Sequence, residues 1–146
     1  MNIMFVCTGN TCRSPMAEAI YNNLISKSGK TGAAISRGIS VFEPEPLNPK
    51  ALCALQTLGI VPENHNSTPI MADDIESVDL VLTMTTQHKM LLKAFYPKYA
   101  SKIYTLAEKA FGKDSSIKDP FGGSQQVYDE CANQILHAVE RIVDNE

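Results

Sequence analysis

The sequence lacks the features that mark several large classes of protein. Four cysteines in 146 residues are too few for a disulfide-stapled scaffold and favour reduced thiols. No apolar run approaches the roughly 18 residues of a membrane span, and the N-terminus has neither the basic flank nor the cleavage site of a signal peptide. The net charge of −3 offers no basic face for nucleic acid. We therefore expect a soluble cytoplasmic protein that binds neither membranes nor nucleic acids.

The cysteines also fail to match the spacing of a metal site. Cys7 and Cys12 are close in sequence, but Cys53 and Cys131 are distant from them and from each other. No second pair completes a zinc site, so we expect no bound metal. Helical periodicity predicts that Cys53 and Cys131 lie on the core faces of their helices.

Short apolar runs alternate with helical patterns along the whole chain. Four strands are predicted, at residues 3–7, 33–36, 80–84 and 102–106. Five helices are predicted: from about Ser14, from Pro49 behind an Asn48 cap, over 71–77, over 86–95, and behind a Ser124 cap. The last helix carries an apolar stripe of Val127, Cys131, Ile135, Ala138, Val139 and Ile142. This alternation, without a linker or repeat, predicts an α/β fold: one domain over residues 1–146, with a parallel sheet and helices on both faces.

The first strand–helix turn, CTGNTCRS from Cys7 to Ser14, is the most informative segment. Ligands of parallel sheets bind beyond the carboxyl ends of the strands, where this loop emerges. The free N–H groups of a curled loop and a helix start form a cradle for an anion. Gly9 and Asn10 are the residues here best able to take left-handed backbone angles. Arg13 adds a planar cation that fits phosphate oxygens.

The same loop supplies a nucleophile. Its positive surroundings favour the thiolate of Cys7, and the Ser14 hydroxyl can donate a hydrogen bond to it. A bound phosphate would present phosphorus to the Cys7 sulfur for in-line attack. A plain core cysteine beside a solvated arginine is the alternative, but C-x5-R-S should occur by chance in under roughly 1% of such chains. The loop therefore predicts phosphoryl transfer through a phosphocysteine.

Phosphoryl transfer also needs a proton donor for the leaving group. In the segment DPFGGS, Asp119 stands on an Asp-Pro turn before the last helix, from which it could overhang the strand ends. None of His65, His88 and His137 has a turn signal that would aim it at the first loop, and His137 is expected on the solvated side of the last helix. Asp119 is therefore the predicted proton donor.

These residues resemble the low-molecular-weight protein tyrosine phosphatase family. The resemblance covers nearly the whole chain, in the segments VCTGNTCRSPMAEAI, SRGIS, GIVPENHNS, DLVLTM and DPFGGS. It implies a four-stranded parallel sheet with flanking helices, a protein phosphatase without metal or organic cofactor, and phosphorylated proteins as substrates. We expect this enzyme to be a monomer.

The resemblance also implies roles for individual residues. By matching position, Cys7 would be the nucleophile, Arg13 the phosphate binder and Asp119 the general acid and later base. The residues expected to keep the loop in shape are Asn10, Ser14, Ser36 and His65. The expected substrate-binding residues are Thr8, Gly9, Asn10, Thr11, Cys12, Phe42 and Phe121.

Two positions depart from the common pattern of that family. Arg37 stands where many members have alanine, and the sequence does not explain it. Thr11 stands where tyrosine-directed members tend to carry a bulky aliphatic residue. In this respect the sequence is similar to the branch of the family that dephosphorylates phosphoarginine. Its hydroxyl offers a polar contact, and Asp119 could pair with the guanidinium. Phe42 and Phe121 would stack on a guanidinium or a phenol ring alike. We predict a phosphoarginine phosphatase, with phosphotyrosine as the alternative substrate.

Other interpretations stay open beside this one. An arsenate reductase would need further cysteines near the site, and residues 80–92 contain none. A phosphate-binding module would have no need of Cys7 as a nucleophile. Cys12 could form a reversible disulfide with Cys7 or be a thiol chosen for its size. Glu43 and Glu45 could repel acidic substrates, attract a guanidinium or be plain solvated charges.

Overall fold

The computed structural model describes residues 1–146 as a four-stranded parallel sheet with helices on both faces. The strands are β1 (Asn2–Cys7), β2 (Ala33–Gly38), β3 (Leu80–Thr83) and β4 (Ile103–Thr105). They lie in the order β2-β1-β3-β4, and all three pairings are parallel. The predicted fold class is confirmed, and each predicted strand overlaps an observed one.

Six α-helices and one 3-10 helix connect the strands. They are α1 (Arg13–Ser28), α2 (Pro49–Thr57), α3 (Ala72–Ser77), α4 (Thr86–Phe95), the 3-10 helix Pro97–Lys102, α5 (Leu106–Phe111) and α6 (Gln125–Asp144). Both predicted caps are present: Asn48 Oδ1 accepts from the N–H of Lys50, and Ser124 Oγ accepts from the N–H of Val127. The sequence analysis missed α5. It follows β4 without a loop and begins with a reciprocal cap between Thr105 and Glu108.

The buried side chains form one core on each side of the sheet. Alternate residues of β1 point into the two cores. Ile3 and Phe5 face the larger core, which is covered by α1, α2, α5 and α6. Met4 and Val6 face the smaller core, which is covered by α3 and α4. These four side chains are fully buried, and each such burial stabilises the fold by about 1.5–3 kcal/mol. A strand covered on both faces needs a continuous apolar run, which explains the sequence of β1.

Two predicted core positions are exposed. Cys53 lies on the outer side of α2, because two residues turn a helix by about 200° and Ala51 already faces the core. Val127 is 38% exposed although the rest of its stripe is buried. It lies in the first turn of α6, beside the loop that carries Gly123, and so extends past the core. None of the helices combines the length and apolar character needed to cross a lipid bilayer.

Candidate active site

The segment between β1 and α1 curls around the sulfur of Cys7. Asn10 has a φ of 56° and is the only residue other than glycine with a positive φ, and its N–H donates to Cys7 Sγ at 3.3 Å. Gly9, also expected in a left-handed conformation, does not take one. The end of β2 leaves room for this curl, since a Cβ at Gly38 would lie 2.8 Å from the carbonyl oxygen of Thr8.

A buried network surrounds the Asn10 amide. Its Nδ2 donates to Ser14 Oγ and to Ser36 Oγ, both at 2.9 Å, and its Oδ1 accepts from the N–H of Thr68 at 2.9 Å. Asn10 and Ser14 are fully buried and Ser36 is 1% exposed. Thr68 was not anticipated from the sequence. Every polar atom of the Asn10 side chain therefore has a partner, which holds the loop in one conformation.

The hydrogen-bond directions in this network allow donors to point at the sulfur of Cys7. Ser14 Oγ lies 2.9 Å from Cys7 Sγ. Because Ser14 Oγ already accepts from Asn10, its own hydrogen is free for the sulfur. His65 Nε2 lies 2.6 Å from the carbonyl oxygen of Asn10, which can only accept, so that nitrogen carries a hydrogen. Cys7 itself is 3% exposed.

Arg13 links the loop to the segment that carries Asp119. Its Nη1 donates to the carbonyl oxygen of Ile117 at 2.9 Å, and its Nη2 lies 3.7 Å from Asp119 Oδ2. The Arg13 side chain is 5% exposed and that of Asp119 is 54% exposed. Asp119 Oδ1 accepts from the N–H of Phe121, which fixes the turn. The guanidinium is thus held in place while the carboxylate stays in reach of solvent.

The structure brings most of the predicted residues to one cavity of about 250 Å³. Residues 7–13 line it together with Glu45, Asp119 and Phe121. Phe42 is absent from its lining. It is 97% exposed and borders a neighbouring cavity of about 160 Å³ that shares only Gly9 and Glu45 with the first. The expectation that Phe42 forms a wall beside Cys7 does not match this arrangement, because its side chain is almost fully in solvent.

His88 is a site residue that the sequence analysis did not find. Its Nε2 lies 2.8 Å from Thr8 Oγ1, and its Nδ1 is buried without a partner. Burial, reinforced by the Arg13 guanidinium and opposed by Asp119, lowers the pKa of His88 to about 4. The ring is therefore neutral at neutral pH. His65 and His88 thus both contact the first loop, although neither has a turn signal that aims it there; for His65 the family resemblance already implied such a contact.

One sequence signal could have located His88. Thr85 lies two residues after the end of β3 and caps α4, with its Oγ1 accepting from the N–H of His88 at 3.0 Å. Because β1 and β3 are parallel neighbours, their carboxyl ends lie at the same edge of the sheet. A histidine in the first turn of the helix that follows β3 therefore lies near the first loop. His137 is exposed on α6, as expected.

The other two buried thiols differ from Cys7 in their surroundings. Cys12 Sγ contacts Tyr128 Oη and Thr11 Oγ1, each at 3.8 Å, and burial raises its pKa. Burial raises the pKa of Cys131 to about 12, and its Sγ contacts the carbonyl oxygen of Lys118. Both are held as thiols, the form that is the weaker nucleophile. No group of three or more His, Cys, Asp or Glu side chains is arranged to hold a metal ion.

Arg37, unexplained by the sequence, has a structural partner. Its Nε lies 3.1 Å from Asp74 Oδ2, and its Nη1 donates to the carbonyl oxygen of Ser36 at 2.7 Å. The pair joins the end of β2 to the start of α3. It stabilises the backbone at Ser36, which supports Asn10.

Comparisons with known proteins agree with this fold and site. The family model for low molecular weight phosphotyrosine protein phosphatase matches residues 2–145. The protein-arginine-phosphatase of Bacillus subtilis (strain 168) is 39% identical over 142 residues, which are 97% of this chain and 94% of that protein. The low molecular weight protein-tyrosine-phosphatase PtpB of Staphylococcus epidermidis is 36% identical over 142 residues, covering 97% and 96%. A solved YwlE arginine phosphatase mutant with a phosphorylated active-site serine in place of cysteine has a TM-score of 0.93 at 36% identity, covering 99% of this chain and 95% of that one.

Proposed function

Because this chain belongs to the low molecular weight phosphotyrosine protein phosphatase family, we propose that it removes phosphate from phosphoarginine in proteins through a phosphocysteine. The observation that carries the chemistry is the placement of Cys7 Sγ at a cavity lined by the loop N–H groups, Arg13 and Asp119. The observation that favours phosphoarginine as the substrate is the position of Thr11 in the lining of the same cavity.

In the first step, the loop N–H groups and Arg13 bind the phosphate oxygens. The Cys7 thiolate, stabilised by the Ser14 hydroxyl and the N–H of Asn10, attacks phosphorus. A sulfur–phosphorus bond forms as the phosphorus–nitrogen bond of phosphoarginine breaks. Asp119, which stands at the open side of the cavity, gives its proton to the leaving nitrogen.

In the second step, Asp119 acts as the base. Its carboxylate takes a proton from water, and the resulting hydroxide attacks the phosphocysteine. The bond from phosphorus to sulfur breaks, which releases inorganic phosphate and restores the Cys7 thiolate. The related arginine phosphatase with a phosphorylated serine at its active site supports a phosphoryl group on this position. Asn10, Ser14, Ser36 and His65 take no part in bond making in this scheme, because their role is to keep the loop curled around the sulfur.

The relatives' names do not decide the substrate, since they include both arginine and tyrosine phosphatases. Thr11 favours phosphoarginine on physical grounds. Thr11 lines the cavity, and a hydroxyl suits a guanidinium better than an aliphatic side chain would. Phosphotyrosine is the second candidate substrate, and the family model itself, which is described by phosphotyrosine, favours it.

The test is a comparison of kcat/KM on matched phosphoarginine and phosphotyrosine peptides. Thr11→Ile should shift the preference toward phosphotyrosine by about tenfold or more, because it removes a polar contact worth ~1.5 kcal/mol and adds an apolar surface for the ring. Thr11→Ser keeps the hydroxyl and is the control, with the wild-type preference expected. A wild type that prefers phosphotyrosine, together with an unaltered preference in Thr11→Ile, would overturn the substrate proposal and leave the loop chemistry standing.

A further inference from the structure

We propose that Glu45 is a second specificity residue of this cavity, whose carboxylate binds the guanidinium of phosphoarginine while Asp119 protonates the leaving nitrogen. This inference rests on the proposed function and assigns a substrate contact to a residue outside the first loop and the segment DPFGGS. Four observations carry it: the position of Glu45, its fixed backbone, its free carboxylate and the distribution of charge in the cavity.

The backbone of Glu45 is fixed although its side chain is exposed. Its N–H donates to Ser67 Oγ at 2.8 Å, and its carbonyl oxygen accepts from the N–H of Ser67 at 2.8 Å. Ser67 is 3% exposed. A two-point attachment to a buried residue holds the exposed segment against the structure, so Glu45 stays at the cavity that it lines with Cys7 and Thr11.

The carboxylate of Glu45 has no partner within the protein. Other carboxylates near cations are paired: Asp74 with Arg37, and Glu108 and Asp114 with Lys89. Glu45 forms no ion pair, and its side chain takes part in no hydrogen bond. A carboxylate at the rim of a binding cavity without an internal cation is available to a cation of the substrate.

The charges of the cavity differ in their exposure. Arg13 is nearly buried and adds a positive charge beside the loop N–H groups, while Glu45 places a carboxylate at the exposed rim. Phosphoarginine has the matching arrangement, with an anionic phosphate and a cationic guanidinium next to it. Phosphotyrosine has the same anion but an uncharged ring, so it gains nothing from a carboxylate at the rim. Glu45 should therefore favour phosphoarginine over aryl phosphates.

The chain offers a matched control for this test. Glu43 belongs to the same exposed segment and carries the same charge, but it lines only the neighbouring cavity. Glu45→Gln and Glu43→Gln both remove one charge and keep the side-chain shape. A long-range effect of net charge would appear in both variants, and a direct contact only in Glu45→Gln.

Steady-state kinetics on a phosphoarginine peptide and on a chromogenic aryl phosphate separate the outcomes. Glu45→Gln should lower kcat/KM on phosphoarginine about three- to tenfold, mainly through KM, and the loss should shrink at high salt. Its kcat/KM on the aryl phosphate should stay within about twofold of wild type, as should both values for Glu43→Gln. Equal losses on both substrates, or the same loss in Glu43→Gln, would overturn the inference.

A binding measurement keeps the inference distinguishable from the proposed function. Free phosphoarginine is tested as a competitive inhibitor of aryl phosphate hydrolysis, which requires binding but no turnover of phosphoarginine. A higher inhibition constant in Glu45→Gln means weaker binding and supports the contact. It does so even if the wild type fails to hydrolyse phosphoarginine, a result that would reject only the proposed function. An inhibition constant unchanged by Glu45→Gln would reject the Glu45 contact whatever the substrate of the enzyme.

Discussion

The loop that surrounds Cys7 and the rim above it are built in opposite ways. In the loop, Asn10, Arg13 and Ser14 are at most 4% exposed, and hydrogen bonds to residues 36, 65, 68 and 117 hold it. On the rim, Phe121 is 75% exposed and Glu45 is also exposed, and Phe42, in the same segment as Glu45, is 97% exposed.

This difference separates the chemistry from the choice of substrate. Loss of a buried partner in the loop leaves a donor or acceptor without water and costs about 1–3 kcal/mol. Exposed rim residues can change at little cost to stability. Substitutions of the buried loop residues should therefore lower turnover on every substrate. Substitutions of exposed residues around the cavity, apart from the proton donor Asp119, should alter which substrate is preferred.

The largest effect expected from the loop comes from Cys7→Ser. Turnover of an aryl phosphate should fall on the order of 10⁴–10⁶-fold, because the nucleophile is lost. Inorganic phosphate should still raise the melting temperature, because the N–H groups and Arg13 remain. Turnover that survives in this variant would show that Cys7 is not the nucleophile. A wild type that binds phosphate but never hydrolyses an ester would show that the loop is a binding module.

Asn10→Ala tests whether the loop depends on its buried network. The variant loses three side-chain hydrogen bonds and places alanine at a φ of 56°. We expect a loss of about 2–4 kcal/mol in the free energy of unfolding, measured in urea. Asn133→Ala, an exposed position on α6, is the control and should change stability by less than about 0.5 kcal/mol. Equal stabilities of the two variants would contradict the contrast between loop and rim.

His88 provides a pH test of the loop's surroundings. Its pKa is about 4 in the folded protein against an ordinary value of 6.5, so the unfolded chain takes up a proton first as pH falls. Stability should therefore decline from about pH 6.5 to about pH 4. His88→Gln should flatten this decline in thermal melts, and the exposed His137→Gln should retain it. Parallel curves for all three proteins would show that His88 is not a buried neutral group.

The smallest effects are expected within the rim itself. Phe121 lines the cavity of Cys7 and Phe42 does not. Phe121→Ala should lower kcat/KM on phosphoarginine about two- to fivefold through lost stacking. Phe42→Ala should stay within about twofold of wild type. A larger effect of Phe42→Ala would contradict this order. It would show that the segment of Phe42 moves against the bound substrate.

Local signals in the sequence were sufficient for the strands, the Asn48 and Ser124 caps and the loop from Cys7 to Ser14. These features depend on residues within a few positions of one another. His88 was missed because its contact with Thr8 joins residues 80 positions apart and requires β3 to lie beside β1. Hydrophobic patterns show that a strand is buried but not which strand is its neighbour. Phe42 was misplaced for a related reason, since an aromatic in a loop carries no periodicity that fixes its direction.

The hydrogen bond from Arg13 to the carbonyl oxygen of Ile117 also bears on the protein during its synthesis. The two residues are 104 positions apart in the chain. A ribosome delivers Cys7 and Arg13 early, and delivers Ile117, Asp119 and α6 only near the end of translation. Until then the growing chain lacks Asp119, the proposed proton donor for the leaving group. We therefore expect phosphatase activity to begin only when the last fifth of the protein has folded onto the first.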